Sequence, residues 1–186
     1  MPVLSRAVRA PWSRVAAAFS AASLTVVLTG CAEEMTADSV AEKARNPPSG
    51  CVVLDNLTER IIGGTQTELG GEFPSVGDSG TYLDYLYDSS GRQVATVFGE
   101  VSVLYQRPDG HIMEWARESI ELEGGTVTAQ GIFDVTEART GVWASAPAIG
   151  TSGKFREKVG SRWFQIVEFG SRLNARIELC PPVAPG

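Results

Sequence analysis

Soft metal ligands are scarce in this chain. A single histidine, His111, and three cysteines, Cys31, Cys51 and Cys180, are spread over 186 residues, too few and too scattered to predict a metal site. Basic runs are missing as well. Acidic residues outnumber basic ones 22 to 16, and three of the basic ones, Arg6, Arg9 and Arg14, lie within the first thirty residues. Without that segment 13 basic residues face 22 acidic ones, a net charge of −9. A domain so acidic repels phosphate backbones, so nucleic acid is not an expected partner. Long helices have no room, because turn clusters interrupt the chain throughout its second half and most of its middle. No constellation of nucleophile and base stands out, and no cofactor is expected.

The one long apolar run is near the start. Residues 15–29 are rich in Ala, Val and Leu, follow the three arginines, and are too short for a good membrane span. They end in Leu28-Thr29-Gly30-Cys31, which resembles the lipobox of bacterial lipoproteins. The expectation is an export signal over 1–30, diacylation of Cys31, and attachment to the cell membrane through that lipid anchor; were the signal not used, the protein would be cytoplasmic. Two acyl chains hold a protein stably at a membrane where one does not. Residues 31–50 are polar and close on Pro47-Pro48-Ser49-Gly50, the composition of a tether. The domain then runs from 51 to 182, with 183–186 as a C-terminal tail. Cys51 and Cys180 bracket it, and in an exported chain such a pair favours a disulfide over two free buried thiols.

Within the domain, Asp88-Ser89-Ser90-Gly91, Pro108-Asp109-Gly110 and Gly124-Gly125 are hairpin signals. Between them apolar residues alternate: Val97, Gly99, Val101, Val103 and Tyr105 fall on one parity, as do Val127, Ala129, Gly131, Phe133 and Val135. Period two predicts strands with one buried face. In 112–122 and 162–169 both parities carry apolar residues. The count is eight strands, at 52–56 with 58–69, 81–87, 93–106, 111–123, 126–136, 143–149, 161–169 and 173–180. An eight-stranded antiparallel β-barrel removes exposed edges and can enclose one small ligand, in the manner of lipocalins. Glu114 and Glu118 share one parity of their strand and Glu121 and Glu123 the other; the latter pair reads as a solvated face, while Glu118 has the parity of Ala116 and could face inward.

Several motifs, taken in order, resemble the allene oxide cyclase-like barrel family. They are Tyr82-Leu83-Asp84-Tyr85-Leu86-Tyr87-Asp88, Gly91 after the turn, Gly99 in mid-strand, Gln130-Gly131, and Ala148-Ile149-Gly150-Thr151-Ser152-Gly153-Lys154-Phe155. The stretch 76–180 is most similar to bacterial spirotetronate cyclases of the abyssomicin type, which act as Diels–Alderases. That resemblance implies an intramolecular (4+2) cycloaddition of a linear, hydrophobic polyketide. Such a reaction gains from a cavity that presets the meeting of diene and dienophile and from a donor at the dienophile carbonyl.

By the same resemblance Tyr82 and Arg162 become the catalytic candidates. The substrate-binding positions are Tyr82, Trp115, Ala116, Val135, Ala146, Phe164 and Ile166. Glu59 and Arg162 correspond to a pair that gates the mouth across a capping loop. The family's carbonyl-donating tyrosine falls on Ala116 and another pocket tyrosine on Ala146, and a pocket phenylalanine is Val135. A roomier cavity without the usual donor is therefore expected, with Tyr82, Arg162 or Trp115 as substitutes. A small hydrophobic molecule is the expected partner, a homodimer is compatible with the resemblance, and a lipocalin-like binding lipoprotein is the alternative to an enzyme.

Overall fold

The computed structural model describes residues 49–69 and 74–182; the lipobox, Cys31 and most of the tether lie outside them. Eight antiparallel strands close in sequence order into a barrel, with the last pairing the first. They are β1 Val52–Thr67, β2 Ser79–Tyr87, β3 Gln93–Gln106, β4 Ile112–Leu122, β5 Gly125–Asp134, β6 Ala144–Gly150, β7 Val159–Glu168 and β8 Arg172–Cys180. Each strand contributes one parity to the interior, so closure buries eight apolar rows and leaves no free edge.

The break expected near residue 57 is a bulge within one continuous strand. The β1–β8 register shifts between Leu54 and Leu57, and Asn56 takes a left-handed φ of 54° while its N–H donates to Asp55 Oδ1 at 2.8 Å. Asn tolerates that conformation better than other non-glycine residues. A second difference lies at 135–136, read from alternation as strand. β5 ends at Asp134, whose side chain accepts from the Glu137 N–H and caps a one-turn helix, α1 (Val135–Ala138). The Asp134-Val135-Thr136-Glu137 sequence is a helix-start pattern, and local capping overrides the alternation there.

The two ends of the barrel differ. At one end Cys51 and Cys180 are joined by a disulfide, and Phe155, from the 3-10 turn Gly153–Phe155, is 1% exposed and packs into the core. Leu57, Leu86, Val97, Ile120, Val127, Ile177 and Leu179 fill the interior behind it. The other end carries the β1–β2, β3–β4, β5–β6 and β7–β8 connections, and here the interior is open.

Candidate active site

The closed core stops at a layer of polar side chains. On β1 the inward parity reads Leu57, Glu59, Ile61; on β2 Tyr82, Asp84, Leu86; on β4 Glu114, Ala116, Glu118, Ile120; on β7 Arg162, Phe164, Ile166. Alternation alone places Glu59, Asp84, Glu118 and Arg162 inside, where each must find a partner. They find one another. Arg162 donates from Nη2 to Glu59 Oε2, from Nε to Glu118 Oε2 at 3.1 Å, and from Nη1 to the Trp163 carbonyl. Tyr82 donates from Oη to Glu118 Oε1 at 2.9 Å, and Asp84 lies in the same layer with Glu59 as its charged neighbour. The result is a belt across the lumen linking β2, β4, β7 and β1.

Gly99 makes the belt possible. In register it lies between Tyr82 on β2 and Glu118 on β4, and a Cβ there would come within 1.9 Å of Tyr82 Cζ. With no side chain on β3, the phenol ring lies across that strand and reaches the carboxylate.

Burial and mutual charge set the protonation states. Desolvation, followed by the charge of Glu59, raises Asp84 from 3.8 to about 8, so at neutral pH it holds its proton. Burial pushes Glu118 up as well, against the pull of Arg162. Desolvation and then Glu118 raise Tyr82 well above the usual phenol range. For Arg162 burial acts downward, but the Glu118 and Glu59 carboxylates outweigh it and keep the guanidinium charged.

Above the belt lies a cavity of about 170 Å³. Its walls are Ile61, Val101, Ala116, Phe133, Val135, Phe164, Ile166, Phe169 and Leu173, and its polar lining is Glu59, Tyr82, Asp84, Glu114 and Glu118. Phe133 and Phe164 meet edge to face with centroids 5.0 Å apart. Through Ile61, Tyr82, Val101, Ile166, Phe169 and Leu173 the cavity continues into a mouth pocket of about 430 Å³. An apolar chamber with a few fixed polar groups is the usual form of a small-molecule site.

Of the expected residues, Tyr82, Ala116, Val135, Phe164, Ile166 and Glu59 line this cavity. Val135 does so from α1 rather than from a strand. Glu59 and Arg162 do pair, but not across a capping loop at the mouth: both sit on strands and both are 1% exposed, Glu59 lining the cavity and Arg162 held behind the lining. Trp115 does not line the cavity. It pairs in register with Ser102 and Ile132, on the parity opposite to Glu114, Ala116 and Glu118. Ala146 is buried but lies below the cavity, beside Arg162 in register and against Gly131, whose missing Cβ would fall 3.1 Å from its own. Glu118 faces inward, while Glu121 and Glu123 are exposed. Sequence reasoning missed Asp84 and Glu114 as site residues. Their shared parity with Tyr82 and Ala116 was the available signal.

The comparisons with known proteins agree with this geometry. A family model, the allene oxide cyclase barrel like domain, matches residues 59–179. Among solved structures, AbnU, an exo-specific intermolecular Diels-Alderase, is 31% identical over 69% of this chain and 96% of its own, with a TM-score of 0.65. The Diels Alderase AbmU from Streptomyces koyangensis is 27% identical over 76% of this chain and 67% of its own, with a TM-score of 0.67. A nonspecific heme-binding cyclase that catalyses a (4+2) cycloaddition during neoabyssomicin biosynthesis is 26% identical over 78% of this chain and 70% of its own, with a TM-score of 0.69.

Proposed function

Because the chain belongs to the allene oxide cyclase barrel like family, we propose that it is a cyclase joining a diene and a dienophile by (4+2) cycloaddition inside the barrel. The substrate in this reading is a linear, hydrophobic polyketide that closes on itself in a spirotetronate-type, intramolecular reaction. The observation that carries it is the cavity: an apolar chamber whose one polar end is a belt of mutually fixed side chains. A floppy polyene entering from the mouth must fold against Phe133, Phe164 and Ile166, and bringing its ends together beforehand recovers much of the ordering entropy of the reaction. A polar group held in place in such a chamber acts on a polarised transition state without reorganising. AbnU joins two molecules, and the chamber and mouth pocket together leave that variant of the same chemistry open to test.

The experiment supplies a linear polyene with a terminal conjugated diene and an unsaturated tetronate. Loss of diene absorbance above the background rate, with one stereoisomer formed, is the expected result. Binding with no acceleration and an unselective product would overturn it. That outcome would favour the second reading, a lipocalin-like lipoprotein that holds a hydrophobic molecule unchanged, for which the Cys51–Cys180 disulfide is the supporting observation, since disulfides persist in exported proteins. Either reading is compatible with a membrane-anchored protein outside the cytoplasm, which we propose from the lipobox and the disulfide together.

A further inference from the structure

A carbonyl-polarising donor is the piece of chemistry that the cavity still lacks. Every donor considered from the sequence is spoken for. The Tyr82 hydroxyl proton goes to Glu118, the Arg162 guanidinium is directed at Glu118, Glu59 and the Trp163 carbonyl, and Trp115 lies off the cavity. Asp84 belongs to the belt, with the charged Glu59 carboxylate as its neighbour. The Asp84 Oδ1 is buried without a partner. One polar group in the lining stands outside the belt.

Glu114 is on β4, one inward position nearer the mouth than Ala116. It is 6% exposed, lines the cavity, and makes no hydrogen bond or ion pair among the described residues. Its register partners are Val103 on β3 and Phe133 on β5. We propose that Glu114 donates the hydrogen bond that polarises the carbonyl of the bound dienophile. This assignment rests on the cyclase reading, and it moves the donor from the position of Ala116 to the adjacent inward position of the same strand. The carbonyl end of the substrate then lies between Glu114 and the Phe133–Phe164 pair, and the hydrocarbon chain extends along Ile166 and Leu173 toward the mouth.

Protonation fits the role. Burial lifts Glu114 from 4.5 to about 7, so below that pH it carries the proton it must share and above it the carboxylate repels a carbonyl oxygen. Few other groups face it. β3 offers Val101 and Val103, β5 Phe133, β8 Leu173 and α1 Val135, all apolar. The charged or titratable neighbours are Glu118 on its own strand and, in the belt beyond, Glu59 of β1, Tyr82 and Asp84 of β2, and Arg162 of β7. Asp134 on β5 is engaged by His111 and Arg107 at the barrel's outer rim, and Glu137 of α1 is exposed.

The test uses a long-chain α,β-unsaturated ketone as an unreactive probe, read by the infrared carbonyl stretch of the bound form. In the wild type the band should be downshifted at pH 6 and lose that shift by pH 8.5. Glu114→Leu should abolish the shift at both pH values, and Glu114→Gln, which keeps a donor but cannot ionise, should retain it at both. With a reactive substrate, Glu114→Leu should slow cycloaddition by about tenfold, less than an oxyanion-hole deletion because less charge develops. A probe that fails to bind the wild type, a shift that survives Glu114→Leu, or a wild-type shift unchanged between the two pH values overturns the assignment. A shift that behaves as expected in a protein that accelerates no cycloaddition would instead leave the donor in place and overturn the cyclase reading.

Discussion

Asp84 and Glu114 are two carboxyls in one lumen, both raised above their ordinary range but by different means. Desolvation and then the charge of Glu59 raise Asp84, whereas burial alone raises Glu114. Both bear on stability with the same sign. The unfolded chain releases these protons near the ordinary carboxyl values of 3.8 and 4.5, while the folded protein keeps them to about 8 and about 7. Between those limits the folded state binds more protons than the unfolded one, so stability falls as pH rises. The urea midpoint should therefore be lower at pH 8 than at pH 5. Asp84→Asn, which cannot ionise, should remove most of that difference and stabilise the protein at pH 8. If the midpoints of wild type and variant fall in parallel, Asp84 is not the proton holder.

Small residues on β4 and β6 look equivalent in the sequence but face different surroundings. Ala116 borders the cavity, with Val101 and Gly131 as its neighbours in register. Ala146 abuts Gly131 and pairs in register with the buried Arg162. Ala116→Tyr should fill the chamber and exclude the largest ligands with little change in melting temperature, whereas Ala146→Phe should overpack the belt and cost about 1–3 kcal/mol. A ligand series graded by size, with melting curves for both variants, decides the matter; equal stability of the two would place Ala146 in the cavity after all. The strands were legible because Gly-rich turns and period two act locally, while Tyr82, Ala116 and Phe164 followed from the family resemblance. Depth was not legible. Parity says that Glu59, Asp84, Glu114 and Arg162 point inward, but whether they meet at the rim or within the lumen depends on how strands far apart in sequence stagger on closure. The same holds for Trp115, whose face was fixed only by the β3–β4 register, shifted between Val103 and Tyr105.

At the scale of the whole molecule, the barrel separates what holds it together from what it does. Cys51 and Cys180 close the end opposite the mouth and join the first strand to the last across a sequence separation of 129 residues. Cross-linking so long a loop restricts the unfolded chain by about 4–5 kcal/mol in the chain-entropy view. Cys51→Ser with Cys180→Ser should thus lower stability by roughly that amount and leave ligand affinity nearly unchanged, since the belt isolates the cavity from the closed end. Expressed with its N-terminal segment in an exporting bacterium, the wild type should show no labelling of Cys51 or Cys180 after denaturation without reductant, and it should fractionate with membranes. Cys31→Ser should release it from that fraction or halt its processing without exposing the two thiols, because the bridge depends on the compartment and the anchor on the acylated cysteine. Quantitative labelling at 51 and 180 would overturn the bridge, and unchanged membrane association of Cys31→Ser would overturn the anchor, each independently of the other.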